Sequence, residues 1–311
     1  MVIPHAGDTT HLERCLDSLV SDRICEVLVV TPEAASASLP LVERHPRARA
    51  VPVPHLLTFA RATNLGASMA NGELLLLLND DTVVQNGAIE QLADAFAAQS
   101  ELGAAGPLLL NSDGTRQPSV YSDPSWRALA ELILQPLFRR GPLVRSARFP
   151  YATAPAAERA DVWLSGAALM VRRDLFVDVG ALDEGYPHGI EDAVLCRAIR
   201  DRGRHLELVE AARIVHERSV SSYRSKGGTD HVARALIGGT TGWVRYWRAR
   251  GAGRGSTALL RAAFLLFGVS RVAAYSIAGI LPGPERVRHR GRRDAYARYV
   301  RLMLSRGTTS Q

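Results

Sequence analysis

The sequence predicts an α/β domain on a mainly parallel sheet flanked by helices, followed by a basic helical region. Two observations carry the domain. Segments of strand length alternate with segments of helical apolar spacing over roughly the first 210 residues, and a run of five consecutive leucines ends at Asn79-Asp80-Asp81. Such alternation is the pattern of strands joined by crossover helices. The third observation is charge. Residues 221–311 hold 17 Lys and Arg against 3 Asp and Glu, a net of +14, which leaves 21 against 28, or −7, for residues 1–220. With 47% apolar and 22% charged residues the chain buries a core, which excludes collagen, a coiled coil and a wholly disordered tail protein. Its 311 residues allow one large domain or two smaller ones. Cys15, Cys25 and Cys196 are too few and too scattered for a disulfide framework or a zinc site, and read as buried thiols of a reducing compartment.

The chain opens inside a strand at Val2-Ile3, so a few residues of that strand are expected upstream of this start. Met1-Val2-Ile3-Pro4 has neither the basic nor the long apolar stretch of a secretory signal, so the first part of the protein is expected to stay in the cytosol. Leu12, Cys15, Leu16 and Leu19 recur at helical spacing, and residues 24–30 then read as a short buried strand. Ala50-Val51-Pro52-Val53 is an edge-strand candidate, and residues 59–70 have helix-forming composition. Leu74–Leu78 has the length and character of a strand buried on both faces. Residues 87–99 are helical, and residues 103–110 form a strand closed by the turn Asn111-Ser112-Asp113-Gly114. Residues 115–160, with several prolines and arginines and little periodicity, read as a loop-rich insertion covering a cleft. A strand over 162–171, a helix over 173–179, a helix over 191–202 stopped by Gly203, and a strand over 205–209 complete the domain. Ligands on sheets of this kind sit outside the carboxyl ends of the strands, where Asn79-Asp80-Asp81 lies.

From Val232 onward the composition is helical. Residues 264–281 contain one charge, Arg271, over a length close to that needed to cross a bilayer. A central arginine costs about 2.5–3.5 kcal/mol on insertion, and glycines and serines interrupt the stretch, so an interfacial amphipathic helix is favoured over a span. The neighbouring Arg286, Arg288, Arg290, Arg292 and Arg293 would then meet anionic headgroups. The domain boundary is placed at 222, giving 1–222 and 223–311.

Few residues carry recognisable chemistry. Asp80 and Asp81 are adjacent carboxylates at a strand end, and such a pair needs a counter-charge to offset its repulsion; a divalent cation supplies one, while a solvated turn has the same composition. Glu191-Asp192 stands at the start of a helix, where an acid is either an N-cap or a general base kept ionised by the helix dipole. His216, after the apolar pair Ile214-Val215, is a third metal ligand from another strand end or an ordinary structural histidine, and His188 has the same ambiguity.

The order of these pieces resembles the family 2 glycosyltransferases, particularly their bacterial rhamnosyltransferase-like branch, from Val2 to about Ser222. Val2-Ile3-Pro4-His5 with Leu16-Asp17-Ser18-Leu19 looks like the family's opening strand and helix. Phe59-Ala60-Arg61-Ala62-Thr63-Asn64-Leu65-Gly66, Asn71-Gly72-Glu73 and the leucines lead into Asn79-Asp80-Asp81-Thr82, which matches the family's aspartate motif. Gly106-Pro107, Asp113-Gly114, Gln117-Pro118-Ser119, Trp163-Leu164-Ser165-Gly166-Ala167, Val179-Gly180-Ala181-Leu182-Asp183-Glu184, Glu191-Asp192 and Arg213-Ile214-Val215-His216 follow in the family's order. Two positions depart from the pattern: Val30-Thr31-Pro32-Glu33 stands where an aspartate usually contacts the nucleobase, and Val194 stands where a second aspartate usually follows the Glu-Asp pair.

The resemblance implies the GT-A fold, built on a mixed sheet, and an inverting, metal-dependent sugar transfer, of L-rhamnose or another hexose, from a nucleotide-sugar to a hydroxyl of a saccharide or polyprenyl-linked glycan in cell-envelope polysaccharide synthesis. By the same resemblance Asp81 and His216 hold Mn2+ or Mg2+, and Asp192 is the catalytic base. Pro4, Asn64, Asp80, Ser165, Gly166 and Ala167 face the donor, and Glu191 and Trp163 the acceptor. A cytoplasmic enzyme at the inner face of the plasma membrane, in peripheral contact through its C-terminal region, is expected. The competing readings are a nucleotidyltransferase making nucleotide-sugars, for which Pro4-His5-Ala6-Gly7-Asp8-Thr9-Thr10 is a poor phosphate loop, and a degenerate saccharide-binding relative. No nucleic-acid partner is expected, because the positive charge lies in the tail without an aromatic stacking motif or zinc module.

Overall fold

The five leucines of Leu74–Leu78 form the innermost strand of the four-stranded parallel half of an eight-stranded sheet. In this computed structural model, which describes residues 1–126, 129–130, 162–186, 189–217, 228–280 and 286–306, the sheet is assembled from β1 (Val2–Pro4), β2 (Val27–Pro32), β3 (Ala48–Val53), β4 (Leu74–Leu78), β5 (Thr82–Val84), β6 (Leu102–Leu110), β9 (Ala168–Arg172) and β10 (His205–His216). Their spatial order is β3-β2-β1-β4-β9-β6-β10-β5. β3, β2, β1 and β4 run parallel, and β6 runs parallel to β10. β9 is inserted antiparallel between β4 and β6, and β5 closes the edge antiparallel to β10, so the sheet is mixed.

The helices are α1 (Thr9–Asp17), α2 (Leu39–Arg44), α3 (Phe59–Met69), α4 (Ala88–Ala98), α5 (Arg173–Asp178) and α6 (Glu191–Asp201). The leucine strand shows why both faces need them. Its side chains alternate, so Leu76 and Leu78 join one core with Leu12, Leu16, Leu92 and Phe96 from α1 and α4. Leu75 and Leu77 join the other with Ala60, Ala67, Phe176 and Ile199 from α3, α5 and α6. Each fully buried leucine contributes about 1.5–3 kcal/mol.

Three expectations change. Residues 162–171 form two strands. β8 (Val162–Leu164) pairs with β7 (Val120–Ser122) in a separate two-stranded sheet, and only β9 enters the main one. The intervening residues Ser165-Gly166-Ala167 give their backbone bonds to Ser119, Asp192 and Asn79, which interrupts the ladder. β7 also means that the stretch expected as loop from residue 115 starts with regular structure; residues 131–161 and His188 lie outside the described residues. The last strand is longer than 205–209. A register shift between Val209 and Arg213 absorbs the polar break and lets β10 continue to His216.

The chain divides into two compact units. Met1–Asp123, Tyr151–Pro187 and Glu191–Arg218 make the sheet unit, and Pro124–Pro150, His188–Ile190 and Ser219–Gln311 the other. The second contains α7 (Gly228–Ala249), α8 (Arg254–Ala278) and α9 (Arg286–Arg306). Gly268 of α8 lets the Tyr299 ring approach, Tyr275 stacks on Tyr296 with centroids 5.8 Å apart, and the Tyr299 hydroxyl lies 2.8 Å from Thr240 Oγ1 of α7. The apolar stretch expected to end at 281 is helical only to Ala278, the end of α8; Gly279 and Ile280 follow the helix, and residue 281 lies outside the described residues. Among the described residues it is the one helix long and apolar enough to cross a membrane, and a third of its apolar window is buried within the protein.

Gly66 sits where α3 crosses β1 and β2, and a methyl group there would strike Val2 Cγ1 and press Val30 Cγ2, both fully buried. Gly66→Ala is therefore expected to lower stability by about 1–3 kcal/mol despite alanine's better helix propensity, as read by chemical denaturation.

Candidate functional site

β4 delivers Asn79, Asp80 and Asp81 at its carboxyl end, and neighbouring strands bring them partners. His5, just past β1, is wholly buried; its Nδ1 lies 2.7 Å from Asp80 Oδ2 and its Nε2 2.8 Å from Ser38 Oγ. An ionised carboxylate only accepts, so the ring donates from Nδ1, and a neutral ring then accepts the Ser38 hydroxyl at Nε2. His216 ends β10 opposite Thr82, and that register sets its Nε2 3.3 Å from Asp81 Oδ1. The Glu217 N–H donates to the Asp81 carbonyl at 2.9 Å and holds the two strand ends together.

The orientation of His216 follows from Gln117. That amide donates from Nε2 to the His216 carbonyl at 2.7 Å and to Asn111 Oδ1 at 3.0 Å, so its Oε1 faces His216 Nδ1, 2.9 Å away, as an acceptor. The imidazole donates from Nδ1 and, when neutral, turns the lone pair of Nε2 toward a carboxylate oxygen. Two acceptors facing each other at this distance, one hard oxygen and one imidazole nitrogen, match the donor set of a divalent cation. Among the described residues no group of three or more His, Cys, Asp or Glu side chains is arranged to hold a metal. Among the described residues Asp81 and His216 are thus the two groups that could hold a cation, with further positions left to phosphate oxygens or water.

Asp192 lies in the first turn of α6. Its Oδ2 accepts the Gly166 N–H at 2.9 Å and its Oδ1 the Ala193 N–H at 2.9 Å. The Ala167 carbonyl in turn accepts the Asn79 N–H at 2.9 Å. One three-residue turn therefore ties the base candidate to the aspartate cluster. Burial raises the Asp192 carboxyl above the ordinary carboxylate range, against the lowering pull of its backbone donors. Glu191 is raised as well, first by burial and then by the charge of Asp192, and its Oε2 is buried without a hydrogen-bond partner among the described residues. Gly189 and Ile190 before it both adopt positive φ, 74° and 77°, and for a β-branched residue that conformation stores about 1–3 kcal/mol of strain at the entry to α6.

The remaining expected residues fall into three groups. Pro4 ends β1, and Ser165, Gly166 and Ala167 form the turn just described. Trp163 stacks on Tyr121 with centroids 4.4 Å apart and donates to the Ser122 carbonyl at 3.0 Å. Asn64 is turned inward: its Nδ2 donates to the Leu182 carbonyl and its Oδ1 accepts the Leu182 N–H, so its amide pins the loop after α5. His5, Ser38 and Gln117 were not singled out as site residues from the sequence; His5 and Gln117 lie in segments that carry the family resemblance, and Ser38 had only its polar character to flag it.

Residues 1–226 match the family described as glycosyltransferase like family 2, and the chain belongs to that family: it is a glycosyltransferase with the GT-A fold. A Mycobacterium tuberculosis protein, N-acetylglucosaminyl-diphospho-decaprenol L-rhamnosyltransferase, is 31% identical over 279 residues, 80% of this chain and 87% of the relative. The O-antigen biosynthesis protein RfbC of Myxococcus xanthus is 26% identical over 231 residues, 71% of this chain and 17% of that protein. Among solved structures the chain is similar to the mannosyltransferase PcManGT from Pyrobaculum calidifontis, in complex with GDP-Man and Mn2+, with a TM-score of 0.55 and 15% identity over 99% of this chain and 86% of that one.

A Cβ built on Gly166 lies 3.1 Å from Asp192 Oδ2 and 3.2 Å from Asp192 Cβ. Gly166→Ala is expected to pry the turn from α6 and cost about 1–3 kcal/mol in denaturant unfolding, whereas a glycine needed only for chain flexibility would give a smaller loss.

Proposed function

We propose that the enzyme moves a sugar, L-rhamnose by likeness to the mycobacterial relative, from a nucleoside-diphosphate donor to a hydroxyl of a polyprenyl-linked saccharide, with inversion, in the assembly of a cell-envelope polysaccharide. The observation that carries the reading is the turn at residues 165–167, which links the Asp192 carboxylate to the Asn79-Asp80-Asp81 cluster through Gly166 and Ala167.

In this reading Asp192 accepts the proton of the acceptor hydroxyl as its oxygen attacks the anomeric carbon; the bond from that carbon to the donor's diphosphate oxygen breaks in line, and the electron pair leaves with the diphosphate. A carboxylate lifted toward neutrality is a stronger base than an ordinary one while still ionised at the working pH. Glu191 beside it is raised as well, by burial and then by the charge of Asp192, so the two carboxyls titrate as a pair. Asp81 and His216 hold Mn2+ or Mg2+, with Gln117 fixing the imidazole and His5 fixing Asp80. Bound there, a cation would supply positive charge against the departing diphosphate in place of a general acid. Pro4, Asp80 and the 165–167 turn face the donor; Trp163 and Glu191 face the acceptor. The basic C-terminal region keeps the enzyme at the inner face of the plasma membrane, where polyprenyl-linked acceptors reside.

Donor binding measured across a nucleotide-sugar panel with Mn2+, Mg2+ or chelator is expected to select one donor, to need the cation and to be lost in Asp81→Ala. Gln117→Met is expected to weaken cation affinity about 10–100-fold through the loosened His216 ring. Absence of any bound donor from folded protein would sink the reading.

Asp192→Asn is expected to keep donor affinity while transfer falls about 10²–10⁴-fold. For the native enzyme kcat/KM should decline as pH drops through a pKa above the ordinary carboxylate value, because the base must be unprotonated and burial raises its pKa. A profile flat down to pH 4, or equal activity in Asp192→Asn, would remove Asp192 from the mechanism.

A further inference from the structure

Sugar transfer leaves one side of α8 without a role. Leu259, Leu266, Val269 and Ile277 are between 48% and 68% exposed there, Ala262 and Ala273 are exposed between them, and Ile280 continues the row just beyond the helix. The intervals are three and four residues throughout, which puts all of them on one stripe. The buried residues of the same helix, Thr257, Leu260, Phe264, Phe267, Gly268 and Arg271, are centred about half a turn away. From Leu259 to Ile277 the stripe extends about 27 Å at 1.5 Å per residue. A 220 Å³ cavity walled by Ile237, Thr240, Val244, Leu265 and Met303 borders it at Ala262, with Arg261 at its edge. The hydroxyls of Thr240 and Thr241 donate to the carbonyls of Leu236 and Ile237, so the walls ask for nothing polar.

We propose that this stripe is a membrane-docking surface: α8 lies in the plane of an anionic bilayer's interfacial layer with Leu259, Leu266, Val269 and Ile277 among the acyl chains. Charge selects the partner. Residues 254–280 contain three arginines and no acid, and α9 carries eight arginines against Asp294. A second copy of the chain meeting this face about a two-fold axis would bring like charges together, whereas anionic headgroups neutralise them. Packing selects the orientation. α8 is fastened to α9 through Tyr275 and Tyr296 and through Gly268 and Tyr299, and Arg271 lies inside that contact with its guanidinium 5.0 Å from the Phe267 ring centroid. A spanning α8 would have to shed α9 and expose Arg271 to hydrocarbon, or carry the arginine-rich α9 in with it. An in-plane helix requires neither. The surface gives the proposed lipid-linked acceptor reading its location, and rests on it only for that purpose.

The test uses the full chain and sedimentation with vesicles of phosphatidylglycerol and phosphatidylcholine, or of phosphatidylcholine alone. Binding is expected to anionic vesicles, to fall at high salt, and to drop at least about tenfold in Leu266→Glu/Ile277→Glu with circular dichroism, unfolding temperature and transfer to a short-chain soluble acceptor unchanged. Nitroxide labels on Leu259→Cys, Val269→Cys and Ile277→Cys, each combined with Cys25→Ser because Cys25, unlike Cys15 and Cys196, is exposed and not the buried thiol expected of it, are expected to report one shared shallow depth. A deep label at 269 between shallow ones at 259 and 277 would mean a span and overturn the proposal. So would undiminished vesicle binding in the double variant, or a dimer that the double variant dissolves. Vesicle binding with no donor binding or transfer would defeat the functional reading and leave this one standing.

Discussion

Two adjacent carboxylates at the end of a fully buried strand set the terms for the rest of the sheet unit. β4 cannot shift, because Leu75 to Leu78 are locked into cores on both faces, so Asp80 and Asp81 are delivered to a fixed place. Their mutual repulsion must be offset there. The fold does so at Asp80, where His5 from β1 donates from Nδ1, whereas at Asp81 it sets a second acceptor, His216 from β10, beside the carboxylate. Neither histidine is free to turn: Ser38 bonds one ring and Gln117 the other. A pair that would be a liability in a loose turn is held rigid, as the proposed cation and phosphate end requires.

The second half of the site depends on the first through backbone alone. By breaking the expected 162–171 strand, Ser165-Gly166-Ala167 spends one N–H on Asp192 and one carbonyl on Asn79. A side chain at 166 would separate the two, so the glycine is there for close approach rather than for an unusual dihedral. The same proximity explains the raised carboxyl of Asp192: the turn covers it, and covering a charge costs more than two backbone donors return.

In the helical unit the governing term is aromatic packing around a buried cation. Arg271 is held over Phe267 while Tyr296 and Tyr299 from α9 fill the groove along α8. That arrangement consumes one face of an otherwise apolar helix and leaves the other to solvent. Exposed apolar area of this extent and regularity is rare on a surface that meets only water.

Much of this was legible in order of residues. The alternation of strand and helix, the burial of the leucines, the helices over 59–69, 88–98 and 191–201, and the motif series that marks the family all follow from local pattern, because period and composition are properties of short segments. What lay out of reach were the long-range partners: His5 and Asp80 are 75 residues apart, Gln117 and His216 are 99 apart, and Asn64 and Leu182 are 118 apart. The split at 165–167 and the extension of β10 to His216 belong to the same class. The sequence by itself determined the fold class, the family and the identity of the carboxylates. Only the tertiary structure decided which groups hold them, where Gly166 touches Asp192 and which face of α8 stays open, since hydrogen-bond pairing and burial depend on what the sheet brings alongside.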